Sequence, residues 1–331
     1  QHSLLRCRAV QSYSPQANHA VGSFDITHQG GSMTTQILDP VTTCNTDVPS
    51  VPAPTPRRGI PQISSALARR DDGIWESERR REISHPEVCQ DWYREVETRS
   101  YWYQHRARCI VDLMQRYPPA GAVFDIGGGN GSVSTAMQHA GYSPVLVEPS
   151  LSAAQTAKSR GLRDVICSTL QDACFQSGTL PAIGLFDVLE HIQDDHGFLQ
   201  DLATSLRYDG RLYLTVPSYP WLWSEHDERV GHFRRYTLRS VRCDLERAGY
   251  QVEFSTYLFA ALTAPVLAFR TLPYRVLGGG RGSRETFAKE HAGGGMLSRG
   301  VELALAAERR WLNRGWTLPM GTSCLVVAHK K

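Results

Sequence analysis

The chain has 331 residues and a formal net charge of +3, with 41 % hydrophobic and 21 % charged residues. That balance suits a globular protein of one large domain with extensions, or of two small domains. It gives no support to nucleic-acid or membrane-surface binding by bulk charge, because acidic and basic residues are interleaved.

Residues 1–70 are rich in Ser, Thr, Gln, Pro and Gly and show no sustained apolar period. They read as a disordered or vector-derived N-terminal segment, with Met33 a candidate natural start and residues 1–32 an upstream artefact. The stretch from Pro49 to Pro61 holds five prolines and is expected to be extended. Residues 71–118 read as an N-terminal helical cap. Charges dominate Asp71 to Arg99, as in solvated helix, and aromatics follow at Trp92, Tyr93, Tyr101, Trp102 and Tyr103. These aromatics serve packing or cover an acceptor. An amphipathic helix through Ile110, Val111, Leu113 and Met114 ends before Pro118-Pro119.

Residues 119–331 read as the catalytic core, in which strands and helices alternate. Strands are expected at Ala122–Ile126, Pro144–Val147, Val165–Cys167, Ala182–Phe186, Leu212–Val216, Tyr250–Tyr257 and Ser323–Ala328. Helical spacing occupies Val133–Ala140, Leu151–Arg160, Phe198–Leu206 and the stretch capped by Thr237, and glycines stop three of these helices. The alternation predicts a Rossmann-like, doubly wound seven-stranded sheet, mostly parallel, whose ligands bind at the carboxyl ends of its strands. A helical insertion at about 258–320 precedes the last strand. Its apolar part, Tyr257–Phe269, is shorter than the ~20 residues a membrane span needs and contains Pro265, so it reads as a buried helix or a lid. Eight cysteines form no C-x-x-C pair and read as reduced thiols of a cytoplasmic protein.

The segment Phe124–Ser132, FDIGGGNGS, carries the chemistry. Asp125, Gly127, Gly129 and Gly131 follow the first strand and open a helix. Glycines there allow positive φ and close backbone approach to a ligand. Glu148 closes the second strand, where a carboxylate can accept both hydrogen bonds of a ribose diol. Ser132 occupies the third glycine position of the dinucleotide pattern G-x-G-x-x-G. The acid-x-G-x-G-x-G spacing instead resembles motif I of class I S-adenosylmethionine (SAM) methyltransferases. Leu185–Ile192, LFDVLEHI, and Gly210–Val216, GRLYLTV, resemble the fourth- and fifth-strand segments of that family. The resemblance spans about residues 100–256 and implies an antiparallel last strand at Gly321–Ala328. It also implies SAM as cofactor, with Asp125, Gly127, Gly129 and Gly131 in the loop, Glu148 at the ribose, Thr169 and Leu170 at the adenine, and Asp187 beside them. The usual acid of the adenine loop is missing or displaced to Asp172.

Two clusters follow strand ends on the acceptor side: Asp187, Glu190 and His191, and then SEHDERVGHFRRY with Glu225, His226, Asp227, His232 and Tyr236. His191, His226 and Asp187 are the catalytic candidates, with His191 or His226 as base. Tyr219, Trp221 and Trp223 pack nearby or line an acceptor pocket. A divalent metal is not expected. The alternative ligand set is Asp187, Glu190, His191 and His232, since D-x-x-E-H resembles the E-x-x-E-H set of ubiquinone-pathway O-methyltransferases and small-RNA 3′-end methyltransferases. The expected activity is methyl transfer to a small-molecule acceptor through O or N, as in secondary metabolism, with no nucleic-acid partner. The alternatives are a metal-assisted O-methyltransferase of a catechol or quinone precursor or of an RNA 3′ end, an NAD(P)-dependent oxidoreductase, and a non-catalytic SAM-binding protein.

Overall fold

A computed structural model of the chain describes residues 59–78, 100–277 and 296–331. Expectations for residues 1–58, 79–99 and 278–295 lie outside the described residues.

The centre of the molecule is a run of short apolar strands: β3 (Val123–Ile126), β4 (Pro144–Val147), β5 (Asp164–Cys167) and β6 (Leu180–Phe186). Every residue of β3 and β4 is buried, as expected of parallel strands covered on both faces. β7 (Leu206–Pro217), β8 (Tyr250–Leu258) and β9 (Ser323–Lys330) complete one side. β9 runs antiparallel between β7 and β8, which matches the expected antiparallel last strand.

Among the described residues the sheet has nine strands in the order β1-β2-β5-β4-β3-β6-β7-β9-β8, not seven. The additions are β1 (Leu67–Arg69) and β2 (Trp75–Ser77), an antiparallel hairpin whose second strand pairs in parallel with β5. Residues 71–78, the described part of the stretch read as solvated helix, are thus a turn and a strand, and α1 (Ile60–Ile63) lies before them. Ile74 is fully buried, and Ile60, Ile63 and Leu67 join the main core. The hairpin covers the edge that β5 would otherwise expose.

Helices start where their caps allow. α2 (Tyr101–Arg116) is capped by Ser100, which accepts from the Trp102 amide at 3.2 Å. α3 (Ser132–His139) opens from Gly131 in a left-handed conformation. α4 (Leu151–Ser159) and α5 (Asp195–Ser205) are capped by Ser150 and Asp194. α6 (Glu225–Val230) follows β7, and α7 (Leu238–Arg247) begins at the expected Thr237 cap.

After β8 the chain turns at Phe259 and enters α8 (Thr263–Val266), a π-helical turn at Leu267–Thr271 and α9 (Leu272–Leu277). This is not a buried helix, since Phe269 is 76 % exposed. It forms a wall of the cavity described below. No helix among the described residues is long and apolar enough to cross a membrane.

α10 (Met296–Asn313) is tied to the rest of the fold by buried Leu305, by Arg309 donating to Asp112, and by Glu308. Glu308 is buried and accepts from the Phe259 and Ala260 amides at 2.7 and 2.8 Å, with His105 Nε2 at 2.9 Å. Phe259 has φ +62°, a left-handed conformation that its side chain disfavours, and Glu308 fixes that turn. Replacing Glu308 with Ala leaves buried donors without an acceptor. The expected loss is about 3 kcal/mol of unfolding free energy, read from urea titration. A loss below about 1 kcal/mol would mean that water substitutes for the carboxylate.

Candidate active site

The chain moves outward from β3 through β4 to β5, then crosses back to β6 on the other side of β3. Ligands of such sheets sit outside the strand ends at this reversal. A cavity of about 760 Å³ opens there, and its wall includes the glycine loop, Glu148, Thr169, Leu170, Asp187, His191, His226 and His232. These expected cofactor and acceptor residues thus share one space; Gly131 does not line it and instead packs closely against Leu162 and Ala157.

On the loop side, Gly127 and Gly129 have φ of +70° and +54°. A Cβ on Gly127 would lie 2.8 Å from Val188, whereas one on Gly129 would meet nothing within 4 Å. Gly127 is therefore needed for packing, and Gly129 faces open space. Asp125 is fully buried; Oδ2 accepts from Ser134 Oγ at 2.7 Å and Oδ1 has no hydrogen-bond partner. Burial pushes its carboxyl up to about 6, against the pull of Ser134 and Arg106. Glu148 accepts from the Gly129 amide at 2.9 Å and the Ser150 amide at 2.8 Å. Burial raises it to about 7 despite those two bonds. Each of its oxygens keeps a second lone pair for a hydroxyl donor.

These features fit the nucleoside and amino-acid parts of SAM. The bare Asp125 oxygen calls for a donor, Gly129 leaves room, and Glu148 offers paired acceptors. Thr169 Oγ1 accepts from the Asp172 amide at 3.0 Å and so shapes the adenine-side turn. Asp172 is 2 % exposed and is not part of the cavity wall, so it does not stand in for the family's loop acid.

Asp187 lies in the cavity at φ +56°, with Thr215 Oγ1 donating to it at 3.0 Å. Its other oxygen is ion-paired with Arg106 of α2. Sequence reasoning missed Arg106, which is 6 % exposed and lies over the Trp102 and Tyr103 rings at 4.7 and 5.4 Å. Tyr101, Trp102 and Tyr103 line the cavity, so the aromatic cluster covers a site as well as packing. The signal was present in Y-W-Y-x-x-R, but its partner stands 81 residues away.

On the acceptor side, Glu190 and His191 come from a 3₁₀ turn after β6, and His232 from the loop after α6. The His191 and His232 rings meet edge-on at 4.7 Å, and His226 lies 6.3 Å from His232. Asp227 organises the group: it accepts from His232 Nδ1 at 2.9 Å and from Arg235 Nε at 2.7 Å. Burial works to raise Asp227, but His232 and Arg235 outweigh it and hold the carboxyl well below the usual carboxylate range. As a carboxylate it only accepts, so His232 carries its proton on Nδ1 and turns Nε2 toward Glu190. Burial, then the nearby Arg270, push His226 down to about 3, so it is neutral at ordinary pH. Burial raises Glu190 to about 8.

Other sequence candidates fall outside the cavity wall. Glu225 pairs with Arg229 on the helix surface, and Tyr236 donates to Asp195 at 2.8 Å. Tyr219 stacks on Trp221 and Tyr257 at 5.1 and 4.9 Å, which is packing.

A family model described as a methyltransferase domain matches residues 101–254, from the start of α2 to within β8. No curated protein matches the sequence. Similar solved structures include a SAM-dependent methyltransferase from Thermotoga maritima, at 15 % identity and TM-score 0.47, covering 74 % of this chain and 98 % of that one. Another is a Haloferax volcanii methyltransferase solved with the Trm112 activator, at 15 % identity and TM-score 0.46, covering 73 % and 97 %. A third, from Archaeoglobus fulgidus, has 14 % identity and TM-score 0.44 and covers 72 % and 100 %. The match identifies a methyltransferase domain at residues 101–254, the span that holds the glycine loop, Glu148 and the turn from Asp187 to His191.

Glu148 gives the cofactor site a pH dependence. Its folded value lies above the unfolded one, so its contribution favours the fold below about 4.5 and is lost as pH rises through about 7. Ligand hydroxyls donate best to its ionised form. S-adenosylhomocysteine affinity should therefore fall by up to about tenfold per pH unit below 7, as read by calorimetry. Glu148→Gln should flatten that profile; an unchanged slope would remove Glu148 from the site.

Proposed function

We propose that the chain transfers a methyl group from SAM to an oxygen or nitrogen of a small, partly apolar acceptor. One observation carries this reading: a single cavity joins the Asp125–Gly129–Glu148 side to the His191–His226–His232 side. Its volume, about 760 Å³, lies within the range of small-molecule sites. Leu262, Pro265, Val266 and Phe269 supply an apolar wall beside the histidines.

Asp125, the glycine loop and Glu148 hold the cofactor, and Thr169 and Leu170 flank its base. Bound there, SAM would supply a methyl group on a sulfonium, a leaving group that needs no acid. Alignment of the acceptor by the cavity walls can contribute up to ~7–11 kcal/mol. Where the acceptor must lose a proton, an adjacent base adds ~10²–10⁴-fold. His232 suits that role better than His226, because Asp227 accepts from its Nδ1 and leaves Nε2 as the acceptor, while burial opposes a protonated imidazole at His226. Asp187, neutralised by Arg106, acts as a positioning residue between the two sides.

In this reading residues 119–331 form the catalytic core, and α2 covers it. The five described cysteines are free thiols, which supports a reducing, cytoplasmic setting. The interleaved charge supports a small molecule over a nucleic acid.

Calorimetry with S-adenosylhomocysteine and NADH tests the cofactor side. The first should bind and the second should not; the reverse would replace the reading with an oxidoreductase. Gly129→Arg should abolish S-adenosylhomocysteine binding while the chain still unfolds cooperatively, its melting temperature lowered by the strain of φ +54° and not by a clash, since its side chain enters open space. Retained affinity would displace the cofactor from the loop.

A further inference from the structure

Glu190, His191 and His232 each present a ligand atom, and all three atoms lie within 4.8 Å of one another. Glu190 is 1 % exposed, and its Oε2 has no hydrogen-bond partner. Its Oε1 stands 3.9 Å from His232 Nε2. A buried carboxyl group with one bare oxygen, its other oxygen near one imidazole and a second imidazole in the same cluster, is incomplete as an isolated polar group. Asp227 adds a second feature, since it fixes Nδ1 of His232 as the donor and leaves Nε2 with its lone pair toward Glu190. A carboxylate behind an imidazole is the usual outer support of a metal-binding histidine.

We propose that Glu190, His191 and His232 bind one divalent transition-metal cation, with Asp227 as the outer carboxylate. Two imidazoles and one carboxylate suit zinc, manganese, iron or cobalt better than magnesium or calcium, which prefer all-oxygen sets. Donors of one tetrahedral ion stand about 3.4 Å apart, so modest side-chain rotation closes the set. Asp187 is not a ligand, because Arg106 holds it. Three protein ligands leave a position open toward the cavity that all three residues line.

This deepens the reading above and rests on it for the acceptor. A hydroxyl oxygen in the open position would have its pKa lowered by the cation. The acceptor class is therefore one with a coordinating hydroxyl. His232, engaged through Nε2, would then orient the acceptor through the cation rather than take its proton.

The test uses the full chain, stripped with chelator and titrated with cobalt(II) by calorimetry and visible absorption. One equivalent should bind, with d–d bands and no sulfur-to-cobalt charge-transfer band. His191→Ala and His232→Ala should each weaken binding at least about 100-fold. S-adenosylhomocysteine affinity in the same variants should change less than about threefold. If either variant fails to fold, the near-isosteric Glu190→Gln decides with the same threshold. Absence of binding, binding unchanged in the variants, or a thiolate band would overturn the cation site. If cobalt binds as expected but S-adenosylhomocysteine fails to bind the native chain, the cation site stands and the methyltransferase reading falls.

Discussion

The site depends on one electrostatic constraint: four carboxylates converge at one end of a parallel sheet. Asp125 lies in β3, Glu148 follows β4, and Asp187 and Glu190 follow β6. Parallel neighbours place these positions side by side, so the topology that makes the crevice also crowds it with acids. Each acid is handled differently. Asp125 has a hydroxyl donor, Glu148 two backbone amides, and Asp187 the Arg106 guanidinium. Glu190 has burial without a full partner, and so its carboxyl is held well above the usual range. Residual acceptor capacity at the first two and a bare, buried oxygen at the fourth distinguish the two sides of the cavity.

Arg106 joins the two sides. It neutralises Asp187 and lowers both Asp125 and Glu190. Its own burial is tolerated because Trp102 and Tyr103 offer their faces to the guanidinium. α2 is thus more than a cover. Without its cation, buried Asp125 and Glu190 and half-buried Asp187 would lose their shared counter-charge in a low-dielectric space.

The legible parts were those encoded locally. FDIGGGNGS states a strand, a turn with positive φ and a helix start within nine residues, and the structure holds all three. Continuous apolar runs such as Pro144–Val147 marked the buried parallel strands, and Thr237 marked the start of α7. The hairpin of β1 and β2 was not legible. Each strand has three residues, LAR and WES, too short for a period to appear, and the pairing with β5 spans about ninety residues. Long-range pairing likewise hid the Arg106–Asp187 bond and the role of Glu308. His232 was visible as a residue, but its orientation depends on Asp227 accepting from two partners at once. No spacing rule encodes that tautomer.

The two sides of the cavity have different structural origins, which explains why the cofactor is easier to read than the acceptor. The cofactor side is made from strand ends of the sheet, where a change of residue disturbs the core. Gly127 cannot gain a Cβ without meeting Val188, and Asp125 is fully buried. The opposite side is made from the 3₁₀ turn after β6, α2, α6 with the loop that follows it, and residues 262–270. The last of these contains Pro265, a π-helical turn and the largely exposed Phe269. A π turn departs from regular helix at an energetic cost and tends to persist where it positions side chains for function. Here it sets Phe269 and Arg270 at the cavity wall. Because this wall carries few sheet contacts, its side chains can change with little cost to the fold. Variation of the cavity wall is therefore least constrained at residues 262–270, whereas the strand ends hold Asp125, Gly127 and Glu148 in fixed places.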